Sequence, residues 1–114
     1  MAQFMMLLNV SGTAPTGSPE EMQEILKRYG AWSEELAKSG KLVNGAKLAD
    51  DRGRLLRNEG ERVVVDGPFS ETKEMVGGFF IVEAENYDAA ADVAKSCPHL
   101  ALGGTIELRQ VDNM

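Results

Sequence analysis

Two side chains in this 114-residue sequence stand out as candidates for acid–base chemistry, Asp66 and His99. Asp66 follows Val63-Val64-Val65 and opens the run Asp66-Gly67-Pro68-Phe69. The valines read as a strand, and Gly67-Pro68 force a turn, so Asp66 sits at a strand end. Two roles fit a carboxylate there. It can accept backbone N–H groups in an Asx-type turn, or it can be a general base or ligand anchor at a pocket mouth. His99 is the only histidine and follows Cys97-Pro98. Imidazole is the side chain that titrates nearest neutral pH, so an acid–base mechanism would recruit it first. The plainer role is a structural or solvated residue at a helix end. Folded together, Asp66 and His99 would form a proton-transfer dyad. Arg109 offers a cation to clamp an anionic substrate, while Phe69 and Phe79 offer apolar ring surface for a pocket wall.

The segment from Asp66 to Gly78 is long for a hairpin connection and carries Glu71, Lys73 and Glu74. It reads either as a binding loop or as a solvated turn. Gly77-Gly78 marks a bulge or a close backbone approach. One His, one Cys and scattered carboxylates give no metal-ligand spacing, and the Gly-Gly pairs lack the lysine of a phosphate loop. We therefore expect no metal and no cofactor. Cys97, Tyr29 and Trp32 fall on helical apolar stripes and read as core residues.

The bulk numbers set the frame. The length suits a single domain over residues 1–114, and 43% apolar residues suffice for a packed core. A net charge of -6 argues against a nucleic-acid partner, which needs a basic face. A lone cysteine cannot form an internal disulfide and fits a reducing compartment. The first residues carry no charged leader, and their apolar run is too short to span a bilayer. The expectation is a cytoplasmic protein with no membrane contact.

Periodicity then orders the elements that must position these residues. Gln3–Val10 reads as a strand. Ser18-Pro19-Glu20-Glu21 starts a helix with a cap, a proline at the first position and a capping-box glutamate. Its stripe is Met22, Ile25, Leu26, Tyr29, Trp32 and Leu36, and it ends near Lys38 and Gly40. A weak strand surrounds Leu42-Val43. A hairpin turns at Asn58–Glu61, and Gly78–Glu85 is the strongest strand. Asn86 caps a second helix that Pro98 stops, and Thr105–Val111 alternates strictly as the last strand. The order predicts an α+β fold, a ferredoxin-like βαββαβ sandwich with two helices on one face of an antiparallel sheet.

Two helices cover only one face. Phe4, Met6, Leu8 and Val10 alternate with Gln3, Met5, Leu7 and Asn9, and Phe80, Val82 and Ala84 alternate with Phe79, Ile81 and Glu83. Both faces are therefore apolar. A homodimer through the sheet face buries the second one, and Thr105, Glu107 and Arg109 would add polar groups to the enclosed pocket.

The strings Asp66-Gly67-Pro68-Phe69, Glu71-Thr72-Lys73-Glu74 and Gly77-Gly78-Phe79 resemble the YCII-related family in its DGPF-domain branch. The early strand, the Trp32 helix, Cys97–Leu100 and Gly103–Val111 are similar to that branch too. The resemblance implies a dimeric α/β barrel and a pocket for a small molecule. A His and an Asp have been proposed as an active site in the wider group. The Asp corresponds to Asp66. The group's His lies elsewhere in the chain, and this sequence offers only His99. The function expected is a cofactor-free small-molecule enzyme that uses Asp66 and His99 for proton transfer near the DGPF loop, with Arg109, Phe69 and Phe79 binding an anionic or apolar ligand. The alternative is a non-catalytic metabolite-binding or regulatory dimeric module.

Overall fold

The structure, a computed structural model, describes residues 1–11, 18–49, 51, 53–67 and 74–112. Its elements run β1 (Ala2–Ser11), α1 (Pro19–Lys38), β2 (Leu42–Lys47), β3 (Leu55–Glu59), β4 (Arg62–Asp66), β5 (Glu74–Ala84), α2 (Tyr87–Lys95), α3 (Pro98–Ala101) and β6 (Thr105–Gln110). Four strands form an open antiparallel sheet in the order β2-β5-β1-β6. That is the ferredoxin-like arrangement, with β1 and β5 central. The β3–β4 hairpin forms a separate two-stranded sheet, inserted between β2 and β5 as an arm.

The helices start where side chains can satisfy their first N–H groups. Ser18 Oγ accepts from the Glu21 N–H at 3.1 Å, and Asn86 Oδ1 accepts from the Ala89 N–H at 2.9 Å. Pro98 does more than stop a helix. The preceding helix ends at Lys95, and Pro98 is the first residue of α3, where a missing N–H costs nothing. Of the stripe on α1, Leu36 is buried, while Leu26 lies on the flank and is exposed. No helix among the described residues is long and apolar enough to cross a membrane.

The core lies between the sheet and the helices. Phe4, Met6 and Leu8 of β1 meet Val82 and Ala84 of β5, Leu36 of α1, Ala90 and Ala94 of α2, and Cys97. Trp32 packs edge-on against Phe80 at 5.0 Å and donates from Nε1 to Ser96 Oγ at 2.9 Å. Phe4 meets Tyr87 in the same edge-on way. Both readings of the Gly77-Gly78 pair hold. The register shifts between Leu8 and Asn9 opposite Gly77, and Gly78 lies against the backbone of Ala46. A Cβ on Gly78 would stand 2.8 Å from the Ala46 carbonyl oxygen, so β2 would have to move. Gly78→Ala should therefore lower stability by about 1–3 kcal/mol, the usual cost of overpacking, read from the urea midpoint.

Candidate active site on the open sheet face

Pairing across the sheet fixes which side chains share a face. One row away from the helices is Asn44, Ile81, Met5 and Arg109. The next is Ala46, Phe79, Leu7 and Glu107, and a third is Val76, Asn9 and Thr105. The centre of this face is apolar, with Met5, Leu7, Phe79 and Ile81 only half-buried. Its rim along β6 is polar. Arg109 Nη1 lies 3.5 Å from Glu107 Oε2, in an exposed ion pair of little energetic weight. At the far edge, Asn44 Oδ1 accepts from the Gly45 N–H at 2.8 Å. Three strand spacings separate Asn44 from Arg109, about 14 Å. The face is an apolar floor with polar groups at both sides, able to hold a flat molecule by its ring and grip an anionic end. Phe79 and Arg109 thus share the floor and its rim, as the alternation predicts. Asn44, Ala46 and Val76 belong to the same surface, although the sequence points to none of them. The alternation around Gly45 is too weak to reveal a face.

Asp66 ends β4 at the base of the arm. Its Oδ2 accepts from Arg57 Nη1 at 2.9 Å, across the hairpin, and its side chain is 39% exposed. Gly67 takes φ 135°, and a Cβ there would stand 2.7 Å from the Gly53 carbonyl oxygen. Glycine is required where the two ends of the arm cross. Phe69, Glu71 and Lys73 lie outside the described residues; the loop expected from Asp66 to Gly78 is shorter than that, because β5 already begins at Glu74 and Gly77-Gly78 lie within the strand.

His99 sits on α3, on the helix side of the sheet, and is 6% exposed. Its Nε2 lies 2.8 Å from the Asn9 carbonyl oxygen, and its Nδ1 lies 3.0 Å from the Tyr29 hydroxyl. A carbonyl only accepts, so Nε2 carries the proton and donates. In the neutral ring, Nδ1 then accepts from Tyr29. Gly104, at the start of β6, lies flat against the imidazole, and its N–H donates to the His99 carbonyl at 3.0 Å. Asp66 and His99 therefore make their hydrogen bonds to different partners, Arg57 for one and Tyr29 with Asn9 for the other. This single chain does not join them in a dyad. Cys97 is buried beside His99 and Tyr29. Burial pushes its thiol up, against a smaller opposing effect of its hydrogen bond with the His99 backbone, and keeps it protonated. Among the described residues no group of three His, Cys, Asp or Glu is gathered to hold a metal ion.

Tyr29 is the partner of His99 that the sequence leaves unnamed; a tyrosine on a helix stripe carries a polar tip that must be matched. Burial, with Cys97 nearby and Arg28 opposing, pushes its hydroxyl up from 10.0 to about 12. A raised folded-state value means stability is fully present below the unfolded value near 10 and is lost as pH rises through about 12. Alkaline unfolding should show this slope, and Tyr29→Phe should remove it. The same variant should cost about 1–3 kcal/mol at neutral pH, because Nδ1 is left buried without a donor. Gly104→Ala, which drives a methyl into the imidazole, should be more damaging than Tyr29→Phe in the same urea titration.

The YCII-related domain model matches residues 2–114. An uncharacterised protein of Rhizobium meliloti (strain 1021) is 30% identical over 97 residues, covering 83% of this chain and 78% of that protein. Among solved structures, 5-chloro-2-hydroxyhydroquinone dehydrochlorinase (TftG) from Burkholderia phenoliruptrix AC1100, in complex with 2,5-dihydroxybenzoquinone, superposes with a TM-score of 0.52 at 18% identity. That superposition covers 98% of this chain and 95% of the other. At that identity the likeness is one of fold. With the family match running nearly end to end over a ferredoxin-like sheet, the chain belongs to the YCII-related family.

Proposed function

We propose that two copies stack their open sheet faces and enclose a pocket for a small, flat, anionic molecule, on which the protein acts without a cofactor. The observation that carries this is the floor of Met5, Leu7, Phe79 and Ile81 with Arg109 and Glu107 at its rim. Such a face is left uncovered on a monomer only at a cost in exposed apolar surface. Arg109 anchors the anion, and Phe79 stacks on the ring. Asp66 is the proton acceptor, because its carboxylate is partly accessible and held by a single described cation, Arg57. His99 has both ring nitrogens engaged. It serves the reaction by fixing the turn from α3 into β6, and so the strand that carries Arg109. The neighbour TftG supports this reading as an enzyme that holds 2,5-dihydroxybenzoquinone, a small flat ring, on the same type of fold. The engagement of both His99 nitrogens by Tyr29 and Asn9 favours a second reading, a module that binds the same class of molecule without turning it over.

Titration with 2,5-dihydroxybenzoquinone and simple aromatic carboxylates tests the pocket. Arg109→Ala should weaken binding by about 10-fold or more, as expected for loss of a charged hydrogen bond, and leave the urea midpoint unchanged. Equal affinity for wild type and Arg109→Ala would remove the rim from the site. Asp66→Asn loses only a partly exposed ion pair, so folding should change by no more than about 1 kcal/mol. Turnover lost with binding kept assigns Asp66 to the chemistry. Binding with no product in either protein selects the module.

A further inference from the structure

The β3–β4 arm is a second unpartnered apolar surface. Among the described residues its strands pair only with each other, and none of its residues enters the buried core. Its register pairs Leu56 with Val65 and Asn58 with Val63 on one side. The other side carries Leu55, Arg57, Glu59, Arg62, Val64 and Asp66, so it is mixed, with Leu55 49% exposed. On that side Arg57 meets Asp66 at 2.9 Å and Glu59 at 3.4 Å, so three of its four charges pair within the arm. The apolar side is open, with Leu56 61%, Val63 62% and Val65 56% exposed. A lone two-stranded hairpin is marginal in water, and an exposed valine-rich ribbon invites pairing. The arm also stretches the molecule. The Cα radius of gyration is 16.1 Å and the extents are 47 × 43 × 18 Å, where a compact chain of this length would have a radius of about 13 Å.

The size of the patch identifies its occupant. Full burial of a Val or Leu side chain corresponds to about 60–120 Å², so the three open fractions together offer roughly 100–200 Å². A stable interface needs about 800 Å² per partner. The arm is too small to hold an unrelated protein, but it can extend an interface that already exists. The open sheet face is the other apolar surface of this chain, with Met5, Leu7, Phe79 and Ile81 half-buried and Val76 39% exposed. We infer that the Leu56–Val63–Val65 side of the arm seats on a second copy of the chain, as an extension of the face-to-face sheet pairing. The inference rests on the pairing proposed above. It makes the pocket a product of both chains, because the clasp fixes the arm whose base carries Asp66.

Sedimentation of wild type, V63E/V65E and Ile81→Glu over a range of concentrations tests it. Wild type should be a dimer. V63E/V65E should raise the dissociation constant at least 10-fold while keeping the far-UV spectrum and Trp32 emission of wild type. Ile81→Glu, in the middle of the sheet face, should give monomers. V63E/V65E dimerising as tightly as wild type would overturn the clasp and leave the sheet pairing intact. A monomeric wild type overturns both. Dimers from Ile81→Glu, with monomers from V63E/V65E, would instead make the arm the interface and sink the sheet pairing. Hydrogen exchange of wild type gives a readout that needs no variant. Amides of residues 55–59 and 62–66 should gain protection as the dimer forms, and unchanged exchange there overturns the clasp.

Discussion

A four-stranded sheet has two faces, and this chain owns helices for one of them. Alternation along β1 sends Phe4, Met6 and Leu8 toward the helices and Met5 and Leu7 the other way. β5 divides Phe80 and Val82 from Phe79 and Ile81 in the same manner. A register slip would exchange the two sets without reducing the apolar total. The half-buried four would each gain roughly 1 kcal/mol from complete burial. Stability and recognition therefore meet on one surface. Whatever desolvates Met5, Leu7, Phe79 and Ile81 also walls in Arg109, and a cation in a partly dried site holds an anion more firmly than one in water.

The helix side shows the opposite treatment of polarity. A buried imidazole is costly unless both nitrogens are matched. His99 draws its partners from α1 and β1, and the turn into β6 supplies a glycine at Gly104 so that the ring can lie close. One side chain thereby ties together four elements. No buried side-chain polar atom among the described residues is left without a partner. A histidine held in this way is poorly placed to shuttle protons, since each transfer would break a contact on which the local packing depends. What it fixes is the turn from α3 into β6.

Local signals were legible in the sequence. Ser18 and Asn86 each cap with an oxygen that reaches an N–H three residues on, and the alternation of β1, β5 and β6 assigned Phe79 and Arg109 to one face. Non-local choices were not legible. Nothing in Leu55–Asp66 tells whether a hairpin joins the main sheet or stands apart, because pairing depends on which edge is free. Proline suits both the stop of one helix and the start of the next, so its position alone does not reveal that Pro98 opens α3. The hydrogen-bond partners of Asp66 and His99 are illegible for a similar reason. Asp66 finds a cation nine residues earlier, whereas His99 finds a hydroxyl seventy residues away, and no spacing rule encodes the second.

The DGPF string carries two kinds of information. Gly67 acts through geometry. Its φ of 135° and its approach to Gly53 bring the two ends of the arm together, so the arm leaves the sheet in a fixed direction. Asp66 acts through charge, bonding back to Arg57 and leaving part of its carboxylate accessible. The geometric role needs no carboxylate, since an ion pair this exposed adds little to stability. Among the described residues the carboxylate pairs with Arg57 alone, and in the function proposed above its accessible oxygen is the group that takes a proton from an enclosed ligand.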